Sequence, residues 1–113
     1  MPERAGLTPA VATVAVAPGT NIGTAVPANH RRYIYSIKTF NAFAGANDLV
    51  LTRTGPIDVD TLSHLAGGDM VMIPDDLRED SLPIYILDPA DQLLGVASAG
   101  NCFVRILFVD VQD

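Results

Sequence analysis

Two histidines, His30 and His64, and one cysteine, Cys102, are the only imidazole and thiol groups in this 113-residue chain. Two imidazoles are too few for the multi-histidine iron or other transition-metal sites that some β-barrels carry. One thiol forms neither an intrachain disulfide nor a thiolate-rich zinc site. Ser63 and His64 with an aspartate, or Cys102 with a histidine, suggest nucleophilic catalysis. No Gly-x-Ser-x-Gly elbow accompanies them, and adjacent residues on a strand point to opposite faces, so Ser63 and His64 would not meet. Both histidines therefore read as structural or surface residues, and Cys102, inside an apolar run, as a small buried hydrophobe. The expected catalytic, cofactor and metal residues are none.

Carboxylates and basic residues leave more open. Asp75, Asp76, Glu79 and Asp80 supply the oxygens a calcium ion wants, but lack the alternating ligand order and central glycine of an EF-hand loop. With Arg78 among them, a solvated loop or an intersubunit ion pair is the simpler reading. Asp58 and Asp60 alternate onto one strand face and read as the wet side of a sheet. His30-Arg31-Arg32 is the one basic cluster. It is either an ordinary exposed strand start or, through Arg31 and Arg32, a grip on an acidic patch of a partner, such as the 75–80 loop of a neighbour.

The elements that would position these groups are short strands. Residues 1–10, with two prolines and a glycine, read as an extended arm on which Leu7 is an apolar anchor for docking, and 11–113 as one domain. Val11 to Ala17 is a β-branched run stopped by Pro18-Gly19, and its alanines imply close contact with another layer. Arg31 to Phe40 is the clearest strand. Tyr33, Tyr35 and Ile37 fall on one face and Arg32, Ser36 and Lys38 on the other, with Ile34 the exception. Asp48 to Thr54 reads as its hairpin partner, with Leu49, Leu51 and Arg53 on one face. Ile57 to Leu65 is strand-like, with a helical turn from Asp60 as the alternative. Met70 to Ile73, Pro83 to Leu87, Gln92 to Ala97 and Cys102 to Val109 follow, separated by turns. Seven to eight short antiparallel strands without a long helix predict a single all-β domain, a β-sandwich or jelly roll.

The closing strand carries the strongest signal. Val104, Ile106 and Phe108 alternate with Phe103, Leu107 and Val109, so both faces are apolar and both need cover. One face can pack on the protein's own core. The other, with Phe103, Arg105, Leu107 and Val109, is the expected oligomer interface. Composition agrees: 49% of residues are apolar and 18% charged, against about 25% charged in an average soluble domain. No apolar run approaches the roughly 20 residues of a membrane-spanning helix, and Met1-Pro2-Glu3-Arg4 lacks the order of a secretory signal, so no membrane partner is expected. A net charge of −6 disfavours nucleic acid, which is bound by replacing its counterions with basic residues.

The flow of the chain also resembles a family. The run His30 to Tyr35 into a strand, Asn47 to Leu51 in the next, a Gly-rich turn, Pro74-Asp75-Asp76-Leu77, and Leu93 to Asn101 before a last strand is similar to small β-sandwich virion proteins of tailed bacterial and archaeal viruses. The likeness covers about 11–113 and is one of pattern. It implies a non-enzymatic protein on the capsid surface, decorating or cementing the shell, with itself as a homotrimer and the major capsid protein as partners. Head spikes and tail parts belong to the same resemblance. The alternative is a carbohydrate- or receptor-binding β-sandwich with Tyr33, Tyr35 and Tyr85 as an aromatic platform.

Overall fold

The computed structural model describes residues 6–53, 57–74 and 82–112. The acidic run 75–80, the first five residues and 54–56, 81 and 113 lie outside the described residues. Nine strands are present among the described residues: β1 (Thr8–Val14), β2 (Thr20–Ile22), β3 (His30–Asn41), β4 (Asn47–Arg53), β5 (Ile57–His64), β6 (Met70–Ile73), β7 (Tyr85–Leu87), β8 (Leu93–Ala97) and β9 (Cys102–Gln112). One sheet has the order β1-β9-β3-β6, with β7 also on β3, and the other the order β2-β8-β4-β5. β6 pairs with Ile37 to Phe40 and β7 with Arg32 to Ile34, in the same direction, so they are two halves of one interrupted strand. Counted that way, the strands run 1-8-3-6 and 2-7-4-5, the order of an eight-stranded jelly roll.

β1 starts at Thr8, pairing Thr8, Pro9 and Ala10 with Phe108, Leu107 and Ile106. The proline is tolerated because β1 is an edge strand. Its alanines, Ala10 and Ala12, pack against the core, as their size suggests. β2 is a strand that the sequence reading leaves as loop, since three residues cannot display a period.

β9 lies between β1 and β3, so both of its edges are paired; its inner residues Cys102, Val104 and Ile106 are buried on the core, while its other apolar face is left on the outside of the sheet. The face pattern of β3 differs from simple alternation. Its register against β9 shifts between Ile34 and Ser36, a β-bulge at Tyr35. Before the bulge Arg32 and Ile34 oppose Asp110 and Phe108. After it, Ile37 and Thr39 oppose Ile106 and Val104. One extra residue thus turns Ile34 and Ile37 to the same core, and Ile34 is the exception only if the strand is read as regular.

β3 and β4 do not form the expected hairpin, for they belong to different sheets. Each has stronger claims on its edges, β3 from β9 and β4 from β5 and β8. The crossing loop is held by buried polar groups. The Asn47 side-chain amide donates to Asn41 Oδ1 at 3.1 Å and to the Gly100 carbonyl at 2.9 Å, while Asn41 Nδ2 donates to the Gly45 and Ala66 carbonyls. His64 lies beside them, 2.6 Å from Thr39 Oγ1 and 3.2 Å from the Asn47 carbonyl, joining the sheets. Apolar packing fills the middle of the sandwich. There Gly95 is needed because a Cβ would sit 3.0 Å from Val14 and 3.2 Å from both Ile22 and Leu49.

The second half of the chain corrects one further expectation. Residues 57–64 are strand, without a helical turn, and Asp60 is not on the wet side. It pairs across from the buried Leu51, because β5 has a register shift opposite Leu51 and Thr52. Its carboxylate accepts a 3.0 Å hydrogen bond from the Tyr85 hydroxyl, a second tie between the sheets. Burial, and then the Asp60 carboxylate, push the Tyr85 hydroxyl well above the ordinary tyrosine range. An unfolded tyrosine releases its proton at about pH 10. The unfolded state therefore binds fewer protons than the folded one above that pH, and stability falls as pH rises past it. Tyr85→Phe is expected to show a shallower loss of melting temperature between pH 8 and pH 11 than the wild-type protein; parallel curves would contradict this.

Candidate functional site

The outer face of the β1-β9-β3-β6 sheet is built by strand register. Cross-strand partners share a face, so the residues of β9 that point away from the core define successive rows. Phe103 stands in line with Thr13 of β1, Phe40 of β3 and Met70 of β6. Arg105 stands with Val11, Lys38 and Met72. Leu107 aligns with Pro9 and Ser36, Val109 with Tyr33 and Ile86, and Val111 with Arg31.

Much of this face is apolar and uncovered. Val11 is 74% exposed, Met70 62%, Phe103 and Ile86 48% each, and Phe40 39%. Phe40 and Phe103 stack across the strands with centroids 6.1 Å apart and planes at 10°, a contact that stiffens the patch and contributes about 0.5–1.5 kcal/mol. Around them Val11, Thr13, Lys38 and Arg105 border a shallow depression of about 480 Å3. Contiguous exposed apolar surface of this kind marks interaction sites.

The charge of the face is unlike that of the chain. Arg31, Lys38 and Arg105 project from it, three of the seven basic residues, while none of the described carboxylates does. Two buried polar side-chain atoms have no hydrogen-bond partner among the described residues, Ser36 Oγ and Arg105 Nε, and both belong to this face. Buried donors are ordinarily paired. On the opposite side of the sandwich the outer face carries Asp48, Val50, Thr52, Thr61, Ser63, Leu94 and Val96, a mixed surface on which Asp48 supplies a carboxylate.

Phe103, Arg105, Leu107 and Val109 thus stand together on one face, Phe103 exposed and the other three half-buried. Arg31 joins them, exposed, at the far row. Leu7 sits half-buried just before β1. Arg32 does not belong to a docking surface. It is 2% exposed, with Nε 2.8 Å and Nη2 3.0 Å from the two Asp110 oxygens, and its guanidinium lies 4.3 Å over the Phe108 ring. The signal for this was in β9, where Asp110 continues the inward series of Val104, Ile106 and Phe108 and so needs an inward cation. Val11, Lys38, Phe40 and Met70 are face residues that sequence reading missed, because only the register places them beside Phe103.

The remaining candidates are dispersed. Ser63 is exposed while His64 is buried, as their adjacency on a strand requires. His30 Nδ1 contacts the Ala28 carbonyl at 2.8 Å, at the strand start. Burial pushes the Cys102 thiol above its ordinary pKa, away from the reactive thiolate. Among the described residues no group of three or more His, Cys, Asp and Glu side chains is placed to hold a metal ion. The tyrosines occupy three environments: Tyr33 on the outer face, Tyr35 buried at the bulge, Tyr85 bonded to Asp60 between the sheets. No known protein family, curated protein or solved structure matches the chain.

Proposed function

We propose that this protein is a structural virion subunit that decorates or cements a viral capsid as a homo-oligomer, a trimer in the simplest case, through the outer face of the five-stranded sheet. The observation that carries the reading is that face, where stacked Phe40 and Phe103, Val11 and Met70 form an exposed apolar patch. Jelly rolls serve as capsid, lectin and cupin domains, so the fold alone does not choose among them. The site favours assembly. Sugar recognition draws on an aromatic platform beside polar groups, and the three tyrosines are apart.

A cementing protein binds the assembled shell more tightly than its separated parts, so it stabilises the shell by mass action. Particles carrying the protein are expected to release DNA at a higher temperature than particles lacking it. Identical release curves, or purified particles without the protein by mass spectrometry, would contradict the cementing role.

A further inference from the structure

We infer that the outer face of the β1-β9-β3-β6 sheet docks on a different, carboxylate-bearing surface of a second copy of this chain, so that the contact is heterologous and closes as a ring instead of a two-fold dimer. The inference rests on the assembly reading above and names the partner surface. Its basis is the distribution of charge. Thirteen carboxylates give the chain its net charge of −6, yet the described ones lie off this face: Asp48 and Asp60 on the other sheet, Asp69, Asp88 and Asp91 in turns, and Asp110 paired inward with Arg32.

The same sheet face holds Lys38 directly across from Arg105 at its centre. A two-fold contact of this face with itself is isologous and brings identical patches together. With the axis near the centre of the face, it would set Lys38 and Arg105 of one copy against those of the other, with no acid among the described residues of the face to separate them, and like charges so opposed suppress association. Turned toward another side of a second copy, such as the sheet face that carries the exposed Asp48, the same cations meet a carboxylate in place of another cation. Heterologous contacts generate closed rings or open filaments, and three copies make the smallest ring beyond a dimer.

The test is the double variant Lys38→Met, Arg105→Met, compared with the wild-type protein by native mass spectrometry and by dilution in light scattering, with circular dichroism checking the fold. Both side chains project from the outer face, so the fold is expected to persist. The expected result is a wild-type ring of three or more copies and a dissociation midpoint at least ten-fold higher in concentration for the variant. The wild-type midpoint should also rise with salt, as ion pairs at an interface are screened. A wild-type dimer that tightens in the variant would overturn the heterologous contact and leave assembly through this face standing. A ring whose midpoint is unmoved by the substitutions would also overturn it. A wild-type monomer at micromolar concentration would overturn the assembly reading itself, and the ring with it.

Discussion

Arg32→Ala is expected to destabilise the fold by about 3–5 kcal/mol, the cost of breaking a buried ion pair by removing one partner. The guanidinium is almost wholly buried, and its two contacts with Asp110 at 2.8 and 3.0 Å are bidentate. Nη1 donates to the Thr24 carbonyl and Nη2, besides Asp110, to the Thr24 hydroxyl, tying the segment between β2 and β3 to the sandwich. Truncation leaves the Asp110 carboxylate partly buried without its cation, removes the contact over Phe108 and frees Thr24. Since the stranded charge supplies much of the cost, Arg32→Leu with Asp110→Leu should lose less than Arg32→Ala alone. Urea unfolding of the two variants and the wild-type protein measures this. A loss under about 1 kcal/mol for Arg32→Ala, the scale of an exposed ion pair, would show that the pair is not held as described.

Phe103→Asp is expected to leave a folded chain and abolish self-association. Phe103 is 48% exposed in the single chain, so its replacement opens no enclosed cavity and forfeits mainly the stack on Phe40. In a dry interface the new carboxylate would cost several kcal/mol unless paired, and about 3 kcal/mol corresponds to more than a hundred-fold in affinity. Light scattering at micromolar concentration should find monomer for the variant and an oligomer for the wild-type protein. A melting temperature within a few degrees of wild type would separate lost association from lost fold. Equal masses for the two proteins would place the interface elsewhere.

What was legible in the chain was local, and what was not depends on register between distant strands. The alternation of Val104, Ile106 and Phe108 with Phe103, Leu107 and Val109 correctly separates the core side of β9 from its outer side, because the period is two and Arg105 falls in the outer set. The same rule fails on β3. A bulge adds a residue without any local mark, and Tyr35 and Ile34 look interchangeable until Phe108 and Ile106 fix their positions. The β3–β4 loop looks like a hairpin connection because nothing in 42–46 distinguishes turning back from crossing to another sheet. The crossing is held by Asn41 and Asn47, whose side chains bond each other, the Gly45 carbonyl and, far along the chain, the Gly100 carbonyl between β8 and β9. Arg32 was misjudged for the same reason, since its partner Asp110 is 78 residues away. The outer-face patch was half legible: its β9 members were evident, but Val11, Lys38, Phe40 and Met70 join it only through pairing.

The central claim is that this face is covered when the protein assembles, and hydroxyl-radical footprinting tests it residue by residue. At micromolar concentration Phe40 and Met70 of the wild-type protein are predicted to be labelled several-fold more slowly than Phe40 and Met70 of Phe103→Asp, while Leu65, 83% exposed in the turn after β5, is labelled equally in both. Equal labelling of Phe40 and Met70 in the two proteins would contradict the account.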